Sequence, residues 1–262
     1  MIGFLNNYKK YGLTPSSHDL VKFFALIIMI TDHIGAYFFP DDQMFRAVGR
    51  IGFPVWFFLA GFAKPGKMGK EIIILCLLLI VADILTNRSI FPINALLTII
   101  LCRIFSSHLP KFGEKNAELS ILFIFMILIS FFTNELFEYG TLALTFAAWG
   151  YYVRNEPEKL RTKTMGAFVL ISFISTQIFI YEFRILESAV MSIGTAVVIY
   201  YLQSFKTEFY SSLKDKQYSS IIMILARNTL YLYVLHLISF KIIALILYPE
   251  NYTELTIFPE YE

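Results

Sequence analysis

Apolar stretches of about 17 to 22 residues recur along most of this chain, the length a helix rising 1.5 Å per residue needs to cross a hydrocarbon core about 30 Å thick. About nine can be marked, at 19–39, 48–63, 70–86, 90–105, 118–133, 136–153, 165–181, 185–204 and 219–248. Of 262 residues, 57% are hydrophobic and only 16% charged, more apolar surface than one soluble core uses. The expected fold is an all-α, polytopic transmembrane helix bundle of about nine spans, with eight to ten as the range. Two stretches set that range: 48–63 is short and carries Pro54, inviting a local break, and 219–248 suits one long tilted helix or a half-helix plus a span.

No soluble domain, long linker, low-complexity tract or fixed-period repeat interrupts the pattern. The expected organisation is a polar N-terminal segment (1–18), one transmembrane domain (19–248) and an acidic tail (249–262). The N-terminal segment lacks the basic, apolar, small-residue order of a cleavable signal, so the first span is expected to direct insertion. Basic residues fix the orientation. Lys9, Lys10, Lys64, Lys67, Lys70, Arg103, Lys111, Lys115, Arg154, Lys159, Arg161, Lys163, Lys206, Lys214 and Lys216 fall in alternate connections, and the others hold only Arg46, Arg88 and Arg184. A positive-inside bias of this size puts the N-terminus in the cytoplasm and the C-terminus outside. The net charge of +2 carries no signal for nucleic acid.

Ionisable groups inside the apolar stretches are costly, about 2.5–3.5 kcal/mol each at a helix centre on insertion scales, and so mark candidate functional positions. Asp32 and His33 lie deep in the first span; counted from Asp19, His33 is about 21 Å along the helix, in the outer third of the bilayer. Asp83, Arg50, Glu135 and Glu138 come to a similar depth by the same arithmetic. Charges that share a depth suggest a polar cavity opening outward.

A neutral imidazole accepts a proton from an amine or hydroxyl near neutral pH, which makes His33 a candidate general base. Sequence neighbours on a helix point about 100° apart, so Asp32 and His33 do not automatically form a dyad, and Asp32 is free to pair with a cation such as Arg50. Arg50 could alternatively bind a carboxylate, a phosphate or an oxyanion. Gly49 and Gly52 permit close helix approach, and Pro54 frees a carbonyl that could line a cavity. In the last span, helical spacing puts Tyr233 and His236 on one face, where His236 suits either substrate positioning or an interhelical hydrogen bond. Lys64, Lys67, Arg154, Arg161 and Lys163 form cytoplasmic basic clusters that suit a polyanionic cofactor, although positive-inside topology also accounts for them. Cys76 and Cys102 read as small buried hydrophobes. No P-loop, GxGxxG, HExxH or Cys/His metal spacing occurs, so ATP, nicotinamide and a metal are not expected.

LVKFFALIIMITDHIGAYFF followed by AVGRIGFPVWFFLAGF resembles the N-terminal signature of the TraX family, FEYGTLALTFAAWGYYVR resembles its acidic-Tyr-Gly segment leading to an Arg, and YLYVLHL its late Tyr-x-x-His-Leu. Residues 86–130 and 155–225 match only in hydropathy. The family is named for an inner-membrane enzyme of bacterial conjugation that acetylates the N-terminus of pilin, and is similar to the type-three membrane acyltransferases that modify surface sugars. The resemblance implies a multi-pass protein of the bacterial inner membrane that moves an acetyl group from cytoplasmic acetyl-CoA to an acceptor protein N-terminus or glycan. It implies His33 as general base or acyl relay, Asp32 as its supporting charge, Arg50 as an anion binder, and Glu138, Tyr139 and His236 as further cavity residues. Glu138 stands where Asp is more usual in the family. Ala60 stands where members often carry an acid.

Donor and acceptor sites on opposite faces require a narrow passage through the bundle or a relayed acyl group. The competing expectation is an ion-coupled transporter or flippase using Asp32, Arg50, Asp83 and Glu138 as its substrate site, although no inverted hydropathy repeat supports it. A third is a scaffold for a partner membrane protein, in which His33 has no chemical role.

Overall fold

A computed structural model describes residues 14–64, 68–109, 116–213 and 217–258, and no strand occurs among them, only isolated bridges. The helices are α1 (Ser17–Phe38), α2 (Gln43–Arg50), α3 (Phe53–Phe62), α4 (Lys70–Leu85), α5 (Ala95–His108), α6 (Asn116–Thr133), α7 (Leu142–Asn155), α8 (Leu160–Tyr181), α9 (Ile185–Gln203), α10 (Gln217–Arg227) and α11 (Thr229–Leu247). Five stretches, α1, α2–α3, α8, α9 and α11, are long and apolar enough to cross a membrane. Large apolar side chains face outward, among them Ile121, Leu128, Phe132, Ile171, Phe179 and Ile193. Outward-facing apolar surface on this scale suits lipid, not water.

Local chemistry sets the helix ends. Ser16 and Asp19 form a capping box on α1: the Ser16 amide donates to the Asp19 carboxylate at 3.0 Å and the Asp19 amide to the Ser16 hydroxyl at 3.3 Å. Asp19 also accepts from Arg227 at 3.0 Å, which ties the start of α1 to the end of α10. The break expected near Pro54 falls one turn earlier, between Arg50 and Phe53. Pro54 has no N–H, and its ring would meet the carbonyl four residues back, that of Arg50.

Two expected spans need correction, and one open alternative is decided. The stretch beginning at 90 becomes helical only at Ala95, where Asn94 caps α5 by accepting from the Leu96 amide at 3.2 Å. The stretch beginning at 136 becomes helical only at Leu142, because Tyr139 and Gly140 adopt left-handed backbone, φ 71° and 50°. Glu138 therefore lies in an irregular segment, whose backbone pairs with the equally irregular segment before α5: the Ile93 amide donates to Leu136 at 3.1 Å and the Glu138 amide to Ile93 at 2.8 Å. Finally, 219–248 divides at Asn228 into α10 and α11, the half-helix-plus-span alternative.

The α2–α3 stretch is the axis of the bundle, 72% buried over its most apolar part against 22–33% in the other four long stretches. Packing of α3 on α7 is closest at Gly61 and Gly150, where a Cβ would overlap the backbone carbonyls of Ala147 and Phe58. Around that crossing Phe53, Phe57, Phe58, Phe146, Trp149 and Phe173 fill the core.

Candidate functional site: two cavities meeting at His33

Helix α1 presents Asp32 and His33 side by side, and each is claimed by a different neighbour. Asp32, 3% exposed, takes the Arg50 guanidinium at 2.9 and 3.2 Å and that of Arg46 at 2.8 Å. Arg46 and Arg50 lie one helical turn apart on α2, so both reach the same carboxylate. Gly49 permits the approach, since a Cβ there would overlap the Asp32 side chain. Tyr181 accepts from Arg46 at 3.1 Å, and its ring lies 4.8 Å from the Arg50 guanidinium, with the Tyr139 ring at 5.2 Å. His33 instead meets His236 of α11, Nδ1 to Nε2 at 2.7 Å with ring centroids 5.0 Å apart. The two sequence neighbours thus belong to separate clusters, as helix geometry implied.

Two cavities share this point. One, of about 410 Å3, is charged: acids Asp32, Asp83, Glu135 and Glu138 line it together with Arg46, Arg50, Arg88 and Lys241. Opposite charges are equal in number, so burial is tolerable only through pairing. Asp83 pairs with Lys241, and Glu138 accepts from the Ala95 amide at 2.9 Å. The other cavity, of about 280 Å3, is walled by apolar side chains including Met29, Phe57, Ile72, Leu96 and Ile99, and Lys22 lines it too. Lys22 is about 16 Å from His33 along α1. Asp32, His33 and Tyr139 border both cavities. In the apolar one, the Trp56 Nε1 and the Tyr233 hydroxyl are enclosed donors without a partner among the described residues.

Residues 17–244 match the sequence model of the family described as TraX protein. The chain belongs to the TraX family. It is also similar to a protein of Rickettsia prowazekii (strain Madrid E), described as uncharacterized, at 26% identity over 238 residues, covering 86% of this chain and 91% of the relative. No solved structure matches.

In this TraX-family chain the six residues expected at the site, Asp32, His33, Arg50, Glu138, Tyr139 and His236, come together around the shared wall of the two cavities or in direct contact with it. The basic residues expected to hold a cofactor are more scattered. Lys67 lies outside the described residues. Lys64 is exposed, and its carbonyl accepts from Arg103 at 3.1 Å. Arg161 donates to Glu156 at 2.6 Å and stacks over Tyr152, and Lys163 lies 3.6 Å from Glu158. Arg154 donates to the Phe62 carbonyl at 2.9 Å and shares a pocket of about 180 Å3 with Arg103 and Ser106 at the end of α3. Neither Arg103 nor Arg154 has a carboxylate partner among the described residues.

Sequence reasoning missed Arg46, Lys241 and Tyr181 as site residues. The first had a signal, the Arg-x-x-x-Arg spacing of Arg46 and Arg50, which puts both on one helix face. Lys241 had one too, as a lone cation in an apolar helix. Tyr181, at the very end of α8, had none.

Proposed function

We propose that the protein is a multi-pass acyltransferase of the bacterial inner membrane that moves an acetyl group from cytoplasmic acetyl-CoA to an amine or hydroxyl on an acceptor arriving from the outer side, a pilin-like protein N-terminus or a glycan. Family membership supports this reading. The observation that carries it is the meeting of an apolar and a charged cavity at His33, which allows two substrates from opposite faces to reach one imidazole. Nine crossings fit the helices if α2–α3 counts as one broken crossing and α10, about 16 Å long, does not cross. With the basic connections inside, the apolar cavity faces the cytoplasm and the charged one faces out.

The residues present suit acetyl-CoA, which would supply an acyl group activated as a thioester. At about 280 Å3 the apolar cavity is near the lower limit of small-molecule pockets, suited to a thin arm and not to a nucleotide. Trp56 and Tyr233 offer the arm's carbonyls two buried donors. Arg103 and Arg154 at the end of α3 hold their guanidinium groups on backbone carbonyls, with donors left over for phosphate oxygens. His33 takes the proton of the acceptor amine or hydroxyl as the new bond to the acyl carbon forms and the carbon–sulfur bond breaks, then returns that proton to the departing thiolate. Arg50, fixed by Asp32, contributes positive charge beside this point.

The test supplies radiolabelled acetyl-CoA to protein in lipid nanodiscs with peptide-amine and glycan acceptors, and follows CoA release and label transfer. Wild type is expected to turn over, His33→Ala to lose about 100-fold or more, and Arg50→Ala to be impaired. Full turnover by His33→Ala would remove His33 from its role. Absent turnover with uptake of an acceptor into vesicles would establish the carrier instead.

A further inference from the structure

His33 has an orienting partner that its sequence neighbour cannot be. In many sites a carboxylate fixes the ring of a basic histidine, but Asp32 is engaged by Arg46 and Arg50, and the only hydrogen bond of His33 among the described residues runs to His236. The direction of that bond follows from the next one. His236 Nδ1 lies 2.8 Å from the Leu232 carbonyl one turn back on α11, and a carbonyl oxygen only accepts, so Nδ1 carries the proton. A neutral imidazole has one N–H, which leaves His236 Nε2 bare. Two bare nitrogens would repel at 2.7 Å, so His33 Nδ1 is the donor. Neither ring has a carboxylate partner among the described residues to balance an added positive charge.

We propose that His236 is a positioning residue that holds His33 as the Nδ1–H tautomer, leaving His33 Nε2 as its basic nitrogen. The consequence is a relay of orientation, from the α11 backbone through His236 to His33, in which no covalent bond changes. Nε2 of His33 has no partner among the described residues, and His33 lines both cavities, from which a substrate can approach it. An isolated histidine in water favours the opposite tautomer, so the protein must impose this one. The tautomer stands on geometry alone; its meaning for catalysis rests on the acyltransferase reading.

The experiment reads the tautomer directly. Full-length protein carrying 15N-histidine is placed in lipid nanodiscs near neutral pH, and its four histidines are assigned by single substitution, with His33→Gln identifying the signal of interest. Wild type is expected to show His33 with a pyrrole-type Nδ1 and a pyridine-type Nε2. His236→Phe should shift His33 toward the Nε2–H form, and His236→Gln, whose side-chain carbonyl can accept in place of Nε2, should preserve the native pattern. Where turnover is measurable, His236→Phe should lower kcat about 100-fold with little change in donor KM, and His236→Gln should restore most of it. A wild-type His33 that is Nε2–H or doubly protonated, or a pattern unchanged in His236→Phe, overturns the proposal. The wild-type spectrum decides even if His236→Phe fails to fold, and a spectrum as expected without turnover would sink only the acyltransferase reading.

Discussion

At the residue scale the site depends on one carboxylate balancing two guanidinium groups. Asp32 and Arg50 are each about 95% removed from solvent, so neither has water to replace a lost partner. Asp32→Asn keeps the shape but leaves Arg50 uncompensated, which should destabilise the protein by roughly 3–5 kcal/mol. Arg46→Gln should do less, because that side chain retains 19% exposure and Arg50 still balances Asp32. Unfolding midpoints followed by tryptophan fluorescence would check the order; equal losses would mean that Arg50 alone does not balance Asp32. Asp32, His33, Arg50 and Glu138 were legible in the sequence because charge in an apolar run is conspicuous. The pairing of His33 with His236 was not, because the two lie 203 positions apart and only the packing of α11 on α1 joins them.

At the element scale, the α3–α7 crossing holds the wall behind Tyr139 and Phe57. Gly61 and Gly150 each meet the opposite backbone, which cannot move aside as a side chain can. Gly61→Ala or Gly150→Ala should therefore cost about 1–3 kcal/mol by overpacking. Gly69 provides the control: a Cβ there meets only the Glu71 carboxylate, at 3.0 Å, so Gly69→Ala should shift the midpoint little. Midpoints that fell equally for all three would refute the crossing. Most element positions follow from apolar length, including the broken α2–α3. The segment 134–141 does not: Leu136, Phe137 and Tyr139 allow the next apolar stretch to be started at 136, while Tyr139 and Gly140 turn left-handed. Periodicity detects amphipathic faces, not an unwound stretch that supplies Glu138 to a cavity.

For the whole molecule the decisive property is sidedness, and the two cavities make it measurable. Ala36 is exposed in the charged cavity and Ala60 lines the apolar one, so a cysteine at each samples opposite approaches to His33. Cys76 and Cys102 are buried free thiols and would first be replaced by alanine to remove background. A membrane-impermeant thiol reagent applied to intact spheroplasts should then label Ala36→Cys and spare Ala60→Cys. In inverted vesicles the pattern should reverse, with acetyl-CoA slowing the labelling of Ala60→Cys by occupying the cavity it lines. These outcomes follow only if basic connections face the cytoplasm and if the cavities open to different faces while sharing His33. Labelling of both cysteines from the same side would eliminate transfer across the bilayer through this site, and labelling of Ala60→Cys indifferent to acetyl-CoA would take the donor out of the apolar cavity.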